Sequence, residues 1–298
     1  MSLVEHKKMI YLDMKQKFGR DGAEVTVADS ILMRHGDLIT KVPMQRCAEE
    51  IFIINTFKKL GIPTVEITNT NSIQTRVGEV PAYTMKAIDG AVDLIRLGNK
   101  FLNADYYAFL TKVFEGLQST SMDGFGAIQL TESEIQTEFS SDKELLGNVL
   151  QMVKKRQYWP KIEIDKLEDD LTEVESDHKA ILAHTDILHN ILVDTERNFY
   201  LIDPQTIVSA ANRYWDLSYY LIYANGYGCT SGLVEFFRGQ NIDDWNLFML
   251  TTKINTYERT SFYTHYDSAR VPGMLAFLEN LKEGKVRIGN TVLTRNDL

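Results

Sequence analysis

Apolar and polar positions are spaced in two different ways along this chain, and the change between them falls near residue 90. Met9, Ile10, Leu12 and Met14 stand among charged neighbours, so residues 3–18 are expected to form a helix, closed by Gly19-Arg20-Asp21-Gly22. Short strand-like runs follow at Glu24–Val27, Ile31–Arg34 and Leu38–Val42, the last two joined by the turn His35-Gly36-Asp37. From Pro43 to Leu60 the spacing turns helical, with Cys47, Ile51, Ile54 and Phe57 on one face and Gly61-Ile62-Pro63 as the stop. Strands are expected at Thr64–Thr68 and Ala82–Ile88, with a polar connection between them.

Beyond Asp89-Gly90 the pattern is mainly helical, over 91–103, 105–117, 143–157, 165–183, 213–224 and further segments to about 282. One strand pair interrupts it, Ile191–Val193 and Phe199–Ile202, around the turn Asp194-Thr195-Glu196-Arg197-Asn198. There is no repeat and no low-complexity tract. A small strand-rich part followed by a larger helical part with one inserted hairpin predicts an α+β protein of two lobes. Their expected extents are residues 1–88 and 89–298, with a cleft near 86–91.

Composition narrows the class. A length of 298 residues, 44% of them hydrophobic, supports a large core. Cys47 and Cys229 are too far apart in sequence for a zinc motif and give no disulfide framework. No apolar run is long enough to span a bilayer, and the start, Met1-Ser2-Leu3-Val4-Glu5, has no apolar signal region. A soluble cytoplasmic protein with no membrane attachment is expected. Net charge is −9, and residues 1–90 are close to neutral, so the excess lies beyond them. Such a surface disfavours nucleic acid and favours cationic ligands.

The chemistry concentrates in His184-Thr185-Asp186-Ile187-Leu188-His189-Asn190-Ile191-Leu192-Val193-Asp194, followed by Tyr200-Leu201-Ile202-Asp203-Pro204. Polar residues precede one strand of the hairpin, and a second aspartate follows its partner. That layout is expected to gather Asp186, Asn190 and Asp203. Phosphoryl transfer needs such a set: a carboxylate to orient and deprotonate the attacking hydroxyl, and oxygen ligands for Mg²⁺ on the phosphates.

The segment resembles the catalytic and metal-binding loops of the aminoglycoside phosphotransferase and choline kinase-like family, which has a protein kinase-like fold with a small antiparallel N-lobe sheet and a larger helical C-lobe. The family pattern is His-Gly-Asp-Leu-His-x-x-Asn, then a hairpin, then Ile-Asp. The resemblance implies an ATP- or GTP-dependent kinase with Mg²⁺, acting on a hydroxyl of a small molecule. It assigns Asp186 as base, Asn190 and Asp203 as metal ligands, Asp216 in Tyr214-Trp215-Asp216-Leu217 as the brace of the loop, and His184 as catalytic-loop histidine, there more as backbone support than as proton carrier. Lys41 in Ile39-Thr40-Lys41-Val42 takes the place of the phosphate-binding lysine. Glu50, eleven residues before Gly61, takes that of its helix partner, with Glu49 as rival. Tyr83-Thr84-Met85-Lys86-Ala87-Ile88 resembles the hinge whose backbone receives adenine, which marks Met85, Ala87 and Ile88. Gly124-Phe125-Gly126 resembles a glycine motif of many members.

Three departures stand out. Asp186 to Asn190 is four steps where the family has five, so either the loop closes more tightly or the metal geometry changes. Thr185 replaces the family's glycine, and Leu188 falls where its second histidine would be, with His189 next to it. Only Gly22-Ala23 and Ala28-Asp29-Ser30 could serve as a phosphate loop. An aminoglycoside-like cation fits the charge as acceptor. The rivals are a neutral metabolite or a protein as acceptor, nucleotidyl transfer, and a pseudokinase that binds nucleotide or a partner without turnover; oligomeric state stays open. The carboxylate-rich run Glu163–Asp177 reads as an amphipathic helix, with an acceptor-site wall as the functional alternative. Tyr214, Trp215, Tyr219, Tyr220 and Tyr223 read as core, with a cation cage as theirs.

Overall fold

A computed structural model of the chain describes residues 3–19, 23–27, 30–43, 46–131, 134–174, 178–204 and 208–297. Gly22, Ala28 and Asp29 of the two expected phosphate-loop candidates lie outside them, as do residues 175–177 of the acidic run. The chain begins with α1 (Leu3–Phe18), β1 (Glu24–Val27), β2 (Ile31–His35), β3 (Leu38–Val42), α2 (Cys47–Lys59), β4 (Ile67–Thr75) and β5 (Gly78–Lys86). Next come β6 (Val92–Asp93), α3 (Leu94–Leu97), α4 (Ala104–Gln118), β7 (Phe125–Leu130), β8 (Ile135–Phe139), α5 (Asp142–Arg156), α6 (Lys161–Glu173) and β9 (Ile181–Leu182). It ends with β10 (Ile191–Val193), β11 (Phe199–Leu201), β12 (Ala210–Ala211), α7 (Trp215–Tyr227), α8 (Leu233–Arg238), α9 (Trp245–Tyr266), α10 (Val271–Lys282), β13 (Val286–Ile288) and β14 (Thr291–Leu293).

Contacts group these elements into two units, Met1–Val92 with Leu192–Thr206, and Asp93–Ile191 with Ile207–Leu298. The first therefore includes a segment far along the chain, which a single cut after residue 88 leaves out. Hydrogen bonds explain this: Leu201 N–H donates to Pro63 O at 2.9 Å, and Thr64 Oγ1 donates back to Leu201 O at 2.6 Å.

The first unit is built on an antiparallel sheet in the order β1-β2-β3-β5-β4. Alternation along each strand gives the sheet two apolar faces. Ile31, Val42, Ile73, Val80 and Ala82 pack with Ile10 and Met14 of α1. On the other face Tyr83 packs with Cys47 and Ile54 of α2 and with Val65. The expected polar connection between Thr68 and Ala82 is instead a long hairpin, β4 against β5, turning at Arg76-Val77. Most of β4 is exposed and only Ile73 is buried, so its Thr, Asn and Gln residues gave no apolar pattern.

The second unit is mostly helical, and its core holds Tyr214, Trp215, Tyr219, Tyr220 and Tyr223, each at most 3% exposed. The core reading of that cluster is therefore the right one. Residues 91–103, expected as one helix, form β6, α3 and a 3₁₀ turn at Gly98–Phe101. The expected helix 165–183 starts earlier and ends at Glu173, with Ile164, Leu167 and Leu171 buried, while Ile181–Leu182 joins a sheet ordered β8-β7-β12-β9. Gly124-Phe125-Gly126 opens that sheet. Gly126 has φ +91°, and a Cβ on Gly124 would fall 2.2 Å from Thr137 Oγ1, so strand packing accounts for both glycines.

Candidate active site

In the first unit, β3 sets Lys41 opposite Tyr83 of β5, and the first turn of α2 brings Glu50 to the same face. The Lys41 ammonium, buried at 4% exposure, pairs with Glu50 and with Asp203. Tyr83 Oη donates to Glu50 Oε1 at 2.8 Å, which fixes the carboxylate from a second side. Glu50, rather than the half-buried Glu49, is the lysine's partner. Burial alone would lower the Lys41 pKa, but Asp203 and Glu50 outweigh it and hold the value above the usual lysine range. The cation is therefore permanent. Nearby Cys47 is pushed up to about 11 by burial and then by Glu50, so its thiol stays protonated.

Lys41 and Asp203 close the polar end of a cavity of about 220 Å³. Its walls are apolar, from Leu32, Ile39, Val65, Met85, Ile88, Leu192 and Ile202. Asp203 sits at φ +51°, a left-handed conformation that a non-glycine residue adopts at some cost and that marks functional turns. Of the three expected hinge residues, Met85 and Ile88 line the cavity. Ala87 does not: its N–H donates to Asp37 O at 2.7 Å and is spent within the unit. The Ile88 N–H has no partner among the described residues.

The catalytic-loop candidates lie in the second unit. His184 is fully buried, and its N–H donates to both carboxylate oxygens of Asp216, at 3.1 and 3.0 Å. The Thr185 N–H donates to the same Asp216 Oδ1, so one buried aspartate at the start of α7 holds two consecutive amides. Thr185 has φ +71° where glycine would be easier. Its hydroxyl compensates by donating to Val208 O at 2.9 Å and accepting from Trp215 Nε1 at 3.1 Å. Leu188–Asn190 is a 3₁₀ turn, closed by Asn190 N–H to Ile187 O at 3.1 Å and Asn190 Nδ2 to Asp186 O at 2.9 Å. The four-step spacing is thus a tighter loop.

Asp186 is itself held by His189, whose Nδ1–H donates to Asp186 Oδ1, while Nε2 lies 2.7 Å from the Tyr227 hydroxyl. The sequence offered His184 as the loop's histidine; the one that touches the carboxylate is His189. Asp186 and Asn190 belong to this unit and Asp203 to the other, with Lys41.

Among the described residues no three His, Cys, Asp or Glu side chains could together hold a metal ion. Mg²⁺ asks for less, one or two carboxylates and an amide oxygen beside water and phosphate. Asn190 fits, because its Nδ2 is used internally and its Oδ1 has no partner among the described residues. Asp203 fits as well, with its Oδ2 left over from the Lys41 pair.

Asp216 also sets a pH dependence. Burial raises its pKa to about 6, against the lowering effect of the His184 and Thr185 amides. The native state then binds a proton more tightly than the unfolded chain, so stability is highest below the unfolded value near 4. It falls as pH rises from about 4 to about 6, by up to about 3 kcal/mol, and is flat above. Asp216→Asn keeps an oxygen for both amides and is expected to remove this fall, read as the difference between wild-type and variant unfolding free energies across that window. Parallel curves would show that Asp216 does not titrate there.

No family model matches the sequence, and no curated protein matches it. Solved structures share the fold. A choline/ethanolamine kinase family protein from Mesorhizobium loti superposes with a TM-score of 0.58 at 15% identity, over 95% of each chain. A choline kinase from Streptococcus pneumoniae does so with a TM-score of 0.56 at 14% identity, over 93% of this chain and 99% of that one. An aminoglycoside phosphotransferase in complex with ADP and hygromycin B gives 0.64 at 10% identity, over 91% and 98%. The fold is the protein kinase-like one that the catalytic segment led us to expect. Among the described residues no helix is long and apolar enough to cross a membrane.

Proposed function

We propose that this chain is a phosphotransferase that moves the γ-phosphate of ATP to a hydroxyl of a small molecule. The observation that carries the proposal is the Lys41–Glu50–Asp203 cluster at the polar end of an apolar cavity. A buried cation braced by two carboxylates has no packing purpose that a neutral side chain would not serve at lower desolvation cost. In this reading the base lies between the Leu32, Val65 and Ile202 side chains, and Lys41 holds the phosphates. Asp186 orients the acceptor hydroxyl and takes its proton, with His189 fixing the carboxylate's orientation, and Asp216 and His184 supporting the loop. Asp203 and Asn190 would hold Mg²⁺, which neutralises charge on the phosphates when bound.

Nucleotide choice follows from the hinge. The Ile88 N–H is a donor, which suits the N1 acceptor of adenine and opposes the N1–H of guanine; we therefore favour ATP over GTP. The acceptor is a small molecule rather than nucleic acid, and the two free cysteines, both buried, suit a reducing cytoplasm.

The test is direct. Mg·ATP near 100 times its Kd is expected to raise Tm by about 4 °C, with a smaller rise for Mg·GTP, and ATP consumption is expected with at least one member of a broad panel of hydroxyl compounds. No stabilisation by either nucleotide would end the proposal. Stabilisation without turnover across the panel would select the pseudokinase alternative, which the shortened Asp186–Asn190 loop favours.

A further inference from the structure

In the second unit Asp186 bonds to His189, and the side chains packed on that histidine lead through Tyr227 to Arg270. The His189 ring meets the edges of Tyr223 and Tyr227, with centroids 4.3 and 4.9 Å away. The Arg270 guanidinium lies over the Tyr227 ring, 3.8 Å from its centre. Arg270 Nε donates to Asp267 Oδ2 at 3.1 Å, and the two terminal nitrogens have no partner among the described residues. Behind them Arg259 lies 5.4 Å from the centre of the Tyr219 ring, with Nη1 3.4 Å from the Tyr223 hydroxyl. It pairs with Glu258, which also binds Arg156 at 3.0 Å.

A cationic acceptor is recognised by open aromatic faces and free carboxylates. Here the faces of Tyr219 and Tyr227 already carry this chain's own guanidinium groups, and both Glu258 and Asp267 are paired. A further positive charge would meet repulsion. For an anion the site is prepared. The planar fork of Arg270 is fixed by a ring below it and a carboxylate behind it, and it presents free N–H groups in the geometry that carboxylate and phosphate accept. The net charge of −9 argues the other way, but spread charge is screened within about 8 Å at physiological salt, so the contact decides.

We infer that the acceptor alcohol carries an anionic group, a carboxylate or a phosphate, and that the Arg270 fork binds it while Asp186 takes the hydroxyl proton. This rests on the phosphotransferase reading and names the substrate class of the same site. It replaces the aminoglycoside-like cation that total charge favours.

The experiment uses two small primary alcohols of opposite charge, glycerate and choline, as probes of the full chain with Mg·ATP. Binding is read by saturation-transfer NMR and turnover by ATP consumption. Glycerate is expected to bind the wild type at least tenfold more tightly than choline. Arg270→Gln is expected to weaken glycerate at least tenfold and to narrow or reverse the preference, while Arg270→Lys, which keeps charge but loses the fork, falls between. The Mg·ATP thermal shift of each variant is expected to equal that of the wild type, which shows the variants folded. Choline binding as well as glycerate, glycerate binding indifferent to Arg270→Gln, or binding of neither alcohol overturns the inference while ATP stabilisation persists. Loss of ATP stabilisation in the wild type overturns the phosphotransferase reading instead.

Discussion

Asp186→Asn is expected to lower kcat by about 10²–10⁴-fold, the range over which a positioned general base acts, while leaving the fold and nucleotide affinity in place. The reason is that Asp186 has little structural work. Its side chain is about one-fifth exposed, and the described partner of its carboxylate is His189, to which an amide oxygen can bond equally. A partly exposed pair of this kind contributes about 1 kcal/mol. Asp216 is the opposite case, because it is buried and holds two amides that would otherwise be orphaned. Wild-type and variant are compared by acceptor-dependent ATP consumption, with Tm and the Mg·ATP shift measured alongside. Equal turnover would remove Asp186 as the base. Lost turnover together with a lost thermal transition would show it to be a structural carboxylate.

Much of the first unit was legible in sequence because its strands and helix alternate apolar and polar residues with turns between them. Lys41 and Glu50 could be named only through the family resemblance, which puts a lysine at such a strand end and a glutamate on the helix that follows. The β4–β5 hairpin was not legible, because a strand exposed on most of its length has no hydrophobic period to detect. The strands β7 and β8 were missed for another reason: Phe125–Leu130 is too short a run to be told from a turn of buried helix. Ala87 failed as a hinge donor because its amide is taken by Asp37, fifty residues earlier in the chain, which no local pattern reports. The contact of His189 with Asp186 follows from loop geometry. In a 3₁₀ turn residues three apart eclipse one another, so the tight loop carries His189 back over Asp186, and matching by position in a longer loop points elsewhere. The pairing of Lys41 with Asp203 joins residues 162 positions apart and becomes visible only once the chain has folded.

Replacing Lys41 by methionine should be the most damaging single change to the first unit, for two separable reasons. Structurally it leaves Glu50 buried at 4% exposure with only the Tyr83 hydroxyl to answer its charge, and breaking a buried pair from one side costs about 3–5 kcal/mol. Asp203 adds little to that cost, since its side chain is 42% exposed and can turn to water. Functionally it removes the phosphate-holding cation, and loss of one such electrostatic contact lowers turnover by about 10²-fold or more. The double variant Lys41→Met with Glu50→Gln separates these effects. A neutral amide beside Tyr83 carries no uncompensated charge, so most of the lost stability is expected to return, giving a coupling energy of about 2 kcal/mol in a double-mutant cycle from denaturant unfolding. Neither the Mg·ATP thermal shift nor phosphoryl transfer should return with it. A double variant that regains both would mean that Lys41 serves the fold alone, and the nucleotide site would then have to be sought in another part of the molecule.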